Sequence, residues 1–242
     1  VGGKEKQPAG AHIHDRARTG TTVGKSIPLV DANAKVTGQA WYGDDVRLPN
    51  EMIGRIVRSP HHYAKVISID TSKAEALPGV IAVATGDDAP NRFGVLPVTK
   101  DEHAMAVEKV RHVGDLVACV AAVDEATARE AVALIEVEYE VLDSIHDMKK
   151  GLEDVDEPIH WRGKYHVGST NVQKRVFQEF GDRSMVENPN AMYHGKWKYM
   201  GVNHGFTEPH AVVAHWDSNG RLQLYTPQQV PHYVHRALAT VL

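Results

Sequence analysis

Cysteine is nearly missing from this chain: Cys119 stands alone among 242 residues. A single thiol excludes an internal disulfide. It also excludes an all-cysteine zinc or iron–sulfur site built by this chain alone. No run of 18 apolar residues occurs, so no transmembrane helix is expected. Residues 1–26 are rich in Gly, Lys, Arg, His and Thr and lack an apolar stretch, so they do not read as a signal peptide. Surplus positive charge is lacking too. A net charge of −4 and a pI near 6.4 argue against nucleic acid or an anionic membrane as the main partner. A phosphate loop is also missing. Gly20 and Gly24 are separated by three residues where the motif needs four, no strand precedes them, and Pro28 follows in place of a helix.

What is present supports one large domain or two modest ones, with 42% hydrophobic residues to build cores. After an arm over residues 1–27, strands alternate with short helices in a buried βαβ texture. Met52–Arg58 and Lys65–Asp70 read as strands, with Ile67 and Ile69 on one face. Ser72-Lys73-Ala74-Glu75 has capping-box spacing and starts a short helix. Pro78-Gly79 stops it, and Val80–Ala84 follows as a buried strand. Leu116–Val123 is eight apolar residues in a row, which predicts a central strand with Cys119 as a small core residue. Asp124 can cap a helix over Glu125–Leu134, and Ile135–Val141 then alternates apolar with acidic residues as a half-exposed strand.

Residues 142–190 are polar and irregular, a long connection with local structure expected near Val176–Phe180. Tyr193, Gly195, Trp197 and Tyr199 alternate with His194, Lys196 and Lys198, the pattern of another half-buried strand. Ala211–Trp216, the turn Asp217-Ser218-Asn219-Gly220 and Arg221–Tyr225 form a hairpin. His232–Leu242 has helical spacing, with Val234, Leu238 and Val241 on one face. That face is still running at the last residue, so the chain is expected to be one piece of something larger, or to dock its last helix on a partner.

The stretch Met200–His210 is the candidate site wall. Eleven residues hold two histidines, an acid, an amide and two glycines. Gly201 and Gly205 allow backbone to come close to another body, and Pro209 holds Glu208 extended. Histidine is abundant, but the His pairs do not converge. His210 and His215 fall on opposite faces of a strand, and His232 and His235 have no third ligand beside them. No metal ligated by the protein itself is expected. Glu208 suits a supporting role that holds the loop better than a reacting one, because a catalytic carboxylate needs a substrate pose.

Five motifs in order, within Val30–Asp45, Arg58–Val66, Ile69–Ser72, Val110–Asp115 and Val137–Leu142, resemble the N-terminal part of the molybdenum-binding subunit of the xanthine oxidase/aldehyde oxidase family. That part is an α/β (α+β) hammerhead domain, expected over residues 28–145. A connection over 146–164 leads to residues 165–242. There Phe180-Gly181-Asp182, the 200–210 loop and Thr226–Pro231 resemble the beginning of the family's molybdopterin-binding α/β domain. Within the family, Phe93–Pro97, Val202–His204 and Gln229–His235 look most like the 4-hydroxybenzoyl-CoA reductase branch.

The resemblance implies an oxidoreductase active as part of a complex, hydroxylating or reductively dehydroxylating an aromatic or heteroaromatic substrate, an aromatic acyl-CoA among them. It implies a molybdenum–pterin cofactor in the cytosine dinucleotide form, shared with other segments, and a cytoplasmic location. It also implies partners: the rest of the molybdenum subunit, an iron–sulfur subunit with [2Fe–2S] and a subunit with FAD. Val202 and Asn203 would lie near molybdenum and Glu208 behind them. Where xanthine oxidase-like members carry a glutamine, this chain has Val202. The alternative function is a non-catalytic assembly module that docks an iron–sulfur partner.

Overall fold

The computed structural model describes residues 24–95, 100–160, 167–182, 184 and 191–242. The 1–27 arm and the Phe93–Pro97 motif therefore fall partly outside the described residues, as does the end of the 142–190 connection. The chain divides into two compact units that alternate along the sequence. One runs to Val46 and includes Phe206–Pro227; the other joins Arg47–Gly205 to Gln228–Leu242.

The larger unit holds two three-stranded sheets. Strand β1 (Ile53–Arg58), β3 (Val80–Thr85) and β5 (Leu116–Ala122) form one, in the order β1-β5-β3. Strand β2 (Ala64–Asp70), the short β4 (Lys109–Val110) and β6 (Glu136–Val141) form the other, in the order β4-β2-β6. Every pairing is antiparallel. The expected βαβ texture is corrected here: helices follow strands in sequence, but the sheets are not parallel.

Strand β5 is central, and its continuous apolar run has a physical reason. Ala118, Val120 and Ala122 enter one core with Ala128, Ala131 and Ile135. Val117, on the other face, enters a second core with Ala64, Ala106 and Val110. A strand buried on both sides needs apolar residues at every position. Cys119 sits within it, and burial pushes its thiol above the ordinary value. Strand β3 lies at the edge of its sheet with Ile81 exposed, so it is not the buried strand expected. On β2, Ile67 is likewise exposed while Ile69 packs inward.

Two helices cover the first sheet. The predicted capping box does not form on helix α2 (Ser72–Glu75): Thr71, one residue earlier, holds the N-cap position without a side-chain cap bond, and its Oγ1 donates to Glu75 Oε1 at 2.6 Å. Helix α3 (Glu125–Leu134) starts as expected at Asp124, whose Oδ1 accepts the Thr127 N–H at 2.8 Å. Ala128 and Ala131 are its buried residues, small enough for the helix to lie close on β1 and β5. Arg55 of β1 donates from Nε to Glu125 Oε2 at 3.0 Å and ties the sheet to the first turn of α3. Gly79 adopts φ +95°, a left-handed conformation that admits the turn into β3.

Residues Val176–Phe180 and Tyr193–Tyr199 adopt no regular element, against expectation. Tyr193 is 84% exposed and Trp197 78% exposed. Among the described residues no strand pairs with this stretch. Alternation alone does not make a strand; the ladder needs a neighbour. Helix α4 (Pro231–Val241) ends this unit, with Val234, Ala237, Leu238 and Val241 half-buried on one side as the spacing predicts.

The smaller unit contains helix α1 (Ala32–Val36), a 3-10 turn over Gly43–Asp45, and the hairpin of β7 (Val213–Trp216) with β8 (Leu222–Tyr225). Asp217 Oδ1 accepts the N–H groups of Asn219 at 2.8 Å and Arg221 at 2.9 Å, which fixes the hairpin turn. Among the described residues no helix is long and apolar enough to cross a membrane.

Candidate functional site

Residues 200–205 form an open backbone stretch without regular structure. Asn203 Oδ1 accepts the Gly205 N–H at 2.8 Å, an Asx turn that folds the loop back on itself. Gly205 follows at φ +60°, a conformation most side chains resist. Its partner glycine, Gly201, has nothing within 4 Å of where a Cβ would stand. Val202 is 75% exposed. With Oδ1 engaged, Asn203 still has its amide N–H groups to donate.

Residues 206–210 continue in the other unit. The Phe206 and His210 rings meet edge to face with centroids 5.8 Å apart. Glu208 is half-buried, and its Oε1 accepts the backbone N–H of Gly43 at 3.4 Å. Gly43 is buried, and a Cβ there would stand 3.1 Å from Pro227 Cδ and 3.6 Å from Ala211 Cβ. A side chain there would crowd Pro227, so glycine lets the Gly43–Asp45 turn lie close to the polar stretch after β8. The turn is reinforced by Asp45, whose Oδ2 accepts the Tyr42 N–H at 2.9 Å.

Among the described residues the histidines do not gather at one point. His61 stacks edge to face on Tyr139 and His62 on His146. His215 engages the Trp216 carbonyl, and His232 and His235 are exposed on α4. Among the described residues no group of three His, Cys, Asp or Glu is placed to hold a metal ion.

A second cluster escaped the sequence reading. In the larger unit a cavity of about 370 Å³ is lined by residues from four separated stretches, including Arg92, Asp101, Lys109, Arg111, Glu157 and His160. Asp101 is only 3% exposed, and its Oδ2 faces His160 Nδ1 at 3.0 Å. Lys109 pairs with Glu157. Arg111 Nε donates to the Ile159 carbonyl at 2.9 Å, and Arg92 Nε to His103 Nε2 at 3.2 Å. Burial, then the Arg92 and Arg111 charges, hold the His103 imidazole below its ordinary pKa. The partners lie 59 positions apart for Asp101 and His160, so no local spacing announces them.

The fold is that of the hammerhead and cofactor-binding portion of a molybdenum enzyme subunit. The model of the aldehyde oxidase and xanthine dehydrogenase a/b hammerhead domain matches residues 37–143, and that of the molybdopterin cofactor-binding domain matches residues 166–242. Nicotinate dehydrogenase large molybdopterin subunit of Eubacterium barkeri is 33% identical over 91% of this chain and 50% of its own length. The xanthine dehydrogenase molybdenum-binding subunit of Escherichia coli O157:H7 is 30% identical over 88% of this chain and 29% of its own. Among solved structures, the Cu,Mo-CO dehydrogenase in its carbon monoxide reduced state superposes with a TM-score of 0.73 at 30% identity, over 90% of this chain and 29% of that one. The chain therefore belongs to the xanthine oxidase/aldehyde oxidase family of molybdenum-binding subunits. It spans half the length of the first of these relatives and under a third of the others.

Proposed function

We propose that this chain forms part of the molybdenum-cofactor subunit of a molybdenum hydroxylase-type oxidoreductase. The activity is hydroxylation, or reductive dehydroxylation, of an aromatic or heteroaromatic substrate. The observation that carries this reading is the tandem match to the two domains of one kind of subunit, in the same order as the chain. We assign the hammerhead to residues 28–145, a connection to 146–164 and the opening of the cofactor domain to 165–242. The 200–210 loop forms one wall of the molybdenum pocket. Other segments or chains supply the remainder, and an iron–sulfur subunit with [2Fe–2S] and a subunit with FAD carry electrons away. A cytoplasmic location goes with this assembly.

The loop's chemistry fits a pterin-held metal better than one ligated by protein. It presents glycine backbone with open space at Gly201, a free amide donor at Asn203 and no converging set of acids or histidines. A molybdenum–pterin cofactor, in its cytosine dinucleotide form, supplies the redox chemistry when bound. This chain's residues then shape and orient. Val202 offers an apolar surface to a ring, Asn203 donates to a polar group, and Glu208 holds the following residues by its contact with Gly43.

Val202 also favours the narrower reading of an aromatic acyl-CoA substrate, as in the 4-hydroxybenzoyl-CoA reductase branch. An apolar side chain suits a benzene ring, whereas a glutamine suits the polar edge of a purine. The competing function, a non-catalytic module docking an iron–sulfur partner, predicts no effect of loop substitutions on turnover.

The test is Val202→Gln in the native assembly, with molybdenum content and steady-state kinetics measured together. The expected result is unchanged molybdenum and impaired turnover of aromatic substrates. Unchanged kinetics with full molybdenum loading would overturn the site assignment and favour the assembly module.

A further inference from the structure

We propose that residues 151–172 form a latch. This loop is folded on itself, closes on residues 101–111 through charged contacts, and opens as one piece when salt screens those contacts. The inference does not rest on the molybdenum reading, because it uses only contacts within the larger unit.

The loop holds its own shape. The Val155 N–H donates to the Ser169 carbonyl at 2.6 Å, and the Asn171 N–H to the Gly151 carbonyl at 3.1 Å. The Ile159 N–H donates to Asn171 Oδ1 at 2.8 Å. Residues 151–159 therefore lie against residues 169–171. The second limb is itself a tight turn: the Val167 N–H donates to the Val172 carbonyl at 3.0 Å, and Thr170 Oγ1 to the Val167 carbonyl at 2.8 Å. Limbs tied in this way open together, as one cooperative unit.

Its grip on the rest of the unit is of another kind. Glu157 pairs with Lys109 of β4, the Ile159 carbonyl accepts from Arg111 Nε at 2.9 Å, and His160 Nδ1 faces Asp101 Oδ2 at 3.0 Å. Among the described residues none of 151–173 enters either apolar core. The cavity of about 370 Å³ lies between the two sides, with Asp101, Lys109 and Arg111 on one and Glu157, Ile159 and His160 on the other. The junction thus rests on charge rather than on apolar burial. Glu157 is 66% exposed, so solvent ions reach its pair with Lys109. Such pairs weaken as ionic strength rises, which apolar packing does not.

The two ends of the grip are coupled. Glu157 and His160 stand three positions apart on one tied limb, so neither can leave without drawing on the other. The closed latch also has a weak point. Asn171 Nδ2 and Gln173 Oε1 are buried with no hydrogen-bond partner among the described residues, a donor and an acceptor that water would satisfy on opening. What the latch controls follows from its place in the chain. It begins between the hammerhead match, residues 37–143, and the cofactor-domain match, residues 166–242, and its second limb belongs to the latter. Closed, it fixes the point from which the cofactor-binding stretch departs.

Lysine acylation of the native assembly, read residue by residue by mass spectrometry, tests the latch. The Lys109 side chain is 11% exposed under the closed loop, and exposed Lys25 serves as internal reference. Raising salt from about 0.05 M to about 1 M should speed Lys109 labelling relative to Lys25 by about threefold or more. Asp101→Asn breaks the other end of the grip without touching Lys109, and should speed its labelling at low salt by a similar factor. His160→Ala makes the same break from the latch side and leaves the buried Asp101 in place; a melting curve of each variant checks that the fold survives. Contacts that act independently would leave Lys109 unchanged in both variants. Labelling of Lys109 that salt does not move in wild type, or that neither distant substitution moves, would overturn the proposal.

Discussion

Glu208 accepts the backbone N–H of Gly43 at 3.4 Å, joining residues 165 positions apart in the sequence. The contact ties the second half of the candidate loop to the Gly43–Asp45 turn. Truncating the acid leaves that N–H without its carboxylate. Glu208→Ala should therefore lower stability by up to about 1 kcal/mol, and Glu208→Gln, which keeps an acceptor oxygen, by less. Molybdenum content of the assembled enzyme should stay unchanged while activity falls. Metal analysis beside a thermal melt checks this, and molybdenum loss at unchanged melting temperature would point to a direct role at the cofactor.

Gly79 is the second position where backbone geometry decides. At φ +95° a Cβ would stand 3.0 Å from Val123 Cγ2 and 3.2 Å from Thr127 Cγ2. Gly79→Ala combines left-handed strain with a clash against α3, and should destabilise by about 1–3 kcal/mol. Chemical denaturation of both proteins measures it. An equal midpoint would mean that the turn can be rebuilt without strain.

Asp124 makes the start of α3 sensitive to pH. Its carboxyl is held below the ordinary value of 3.8, first by the Thr127 backbone N–H that it accepts. A depressed folded-state pKa means that the stabilisation is fully present above about 3.8. It is lost as pH falls through the lowered folded value. Asp124→Asn should keep most of the cap and remove this pH dependence, while Asp124→Ala should lose the cap at every pH. Melting temperatures of the three proteins between pH 3 and pH 7, a range set around the aspartate value of about 3.9, distinguish the cases.

Limited proteolysis should cut between Asp143 and Asn190 before it cuts Leu116–Val141. Most described residues of the first stretch lie outside regular elements and are at least partly exposed, whereas β5 and α3 supply the buried cores. Mass spectrometry of early fragments reads the order. Early cleavage within β5 or α3 would contradict the proposed boundaries.

How much of this was legible from the sequence depends on where each residue's partners lie. Strand β5 was readable because a double-sided burial writes itself as eight consecutive apolar residues. Helix α3 was readable because Asp124 and Thr127 are three positions apart. The hairpin of β7 and β8 was readable because its turn chemistry sits in four consecutive residues. Tyr193–Tyr199 misled because alternation records what a strand would bury, while pairing needs a neighbour that no described residue provides. The edge position of β3 was invisible because the order β1-β5-β3 is set by pairings distant in sequence. At the candidate site, the turn-forming role of Asn203 is local and could have been read from the Gly205 that follows. The grip of Glu208 on Gly43, and of Asp101 on His160, had no local signal at all.

The two apolar cores are closed by residues that lie between Ile53 and Tyr139. A ribosome that has released the chain through Val141 has therefore delivered every strand and helix these cores require. Domains generally fold as units in the order of synthesis. The early portion can thus be compact while Tyr193, Trp197 and Tyr199 are still being made. Those aromatic residues then emerge beside a finished surface, exposed to chaperones or an assembly partner while the rest of the chain is still being made.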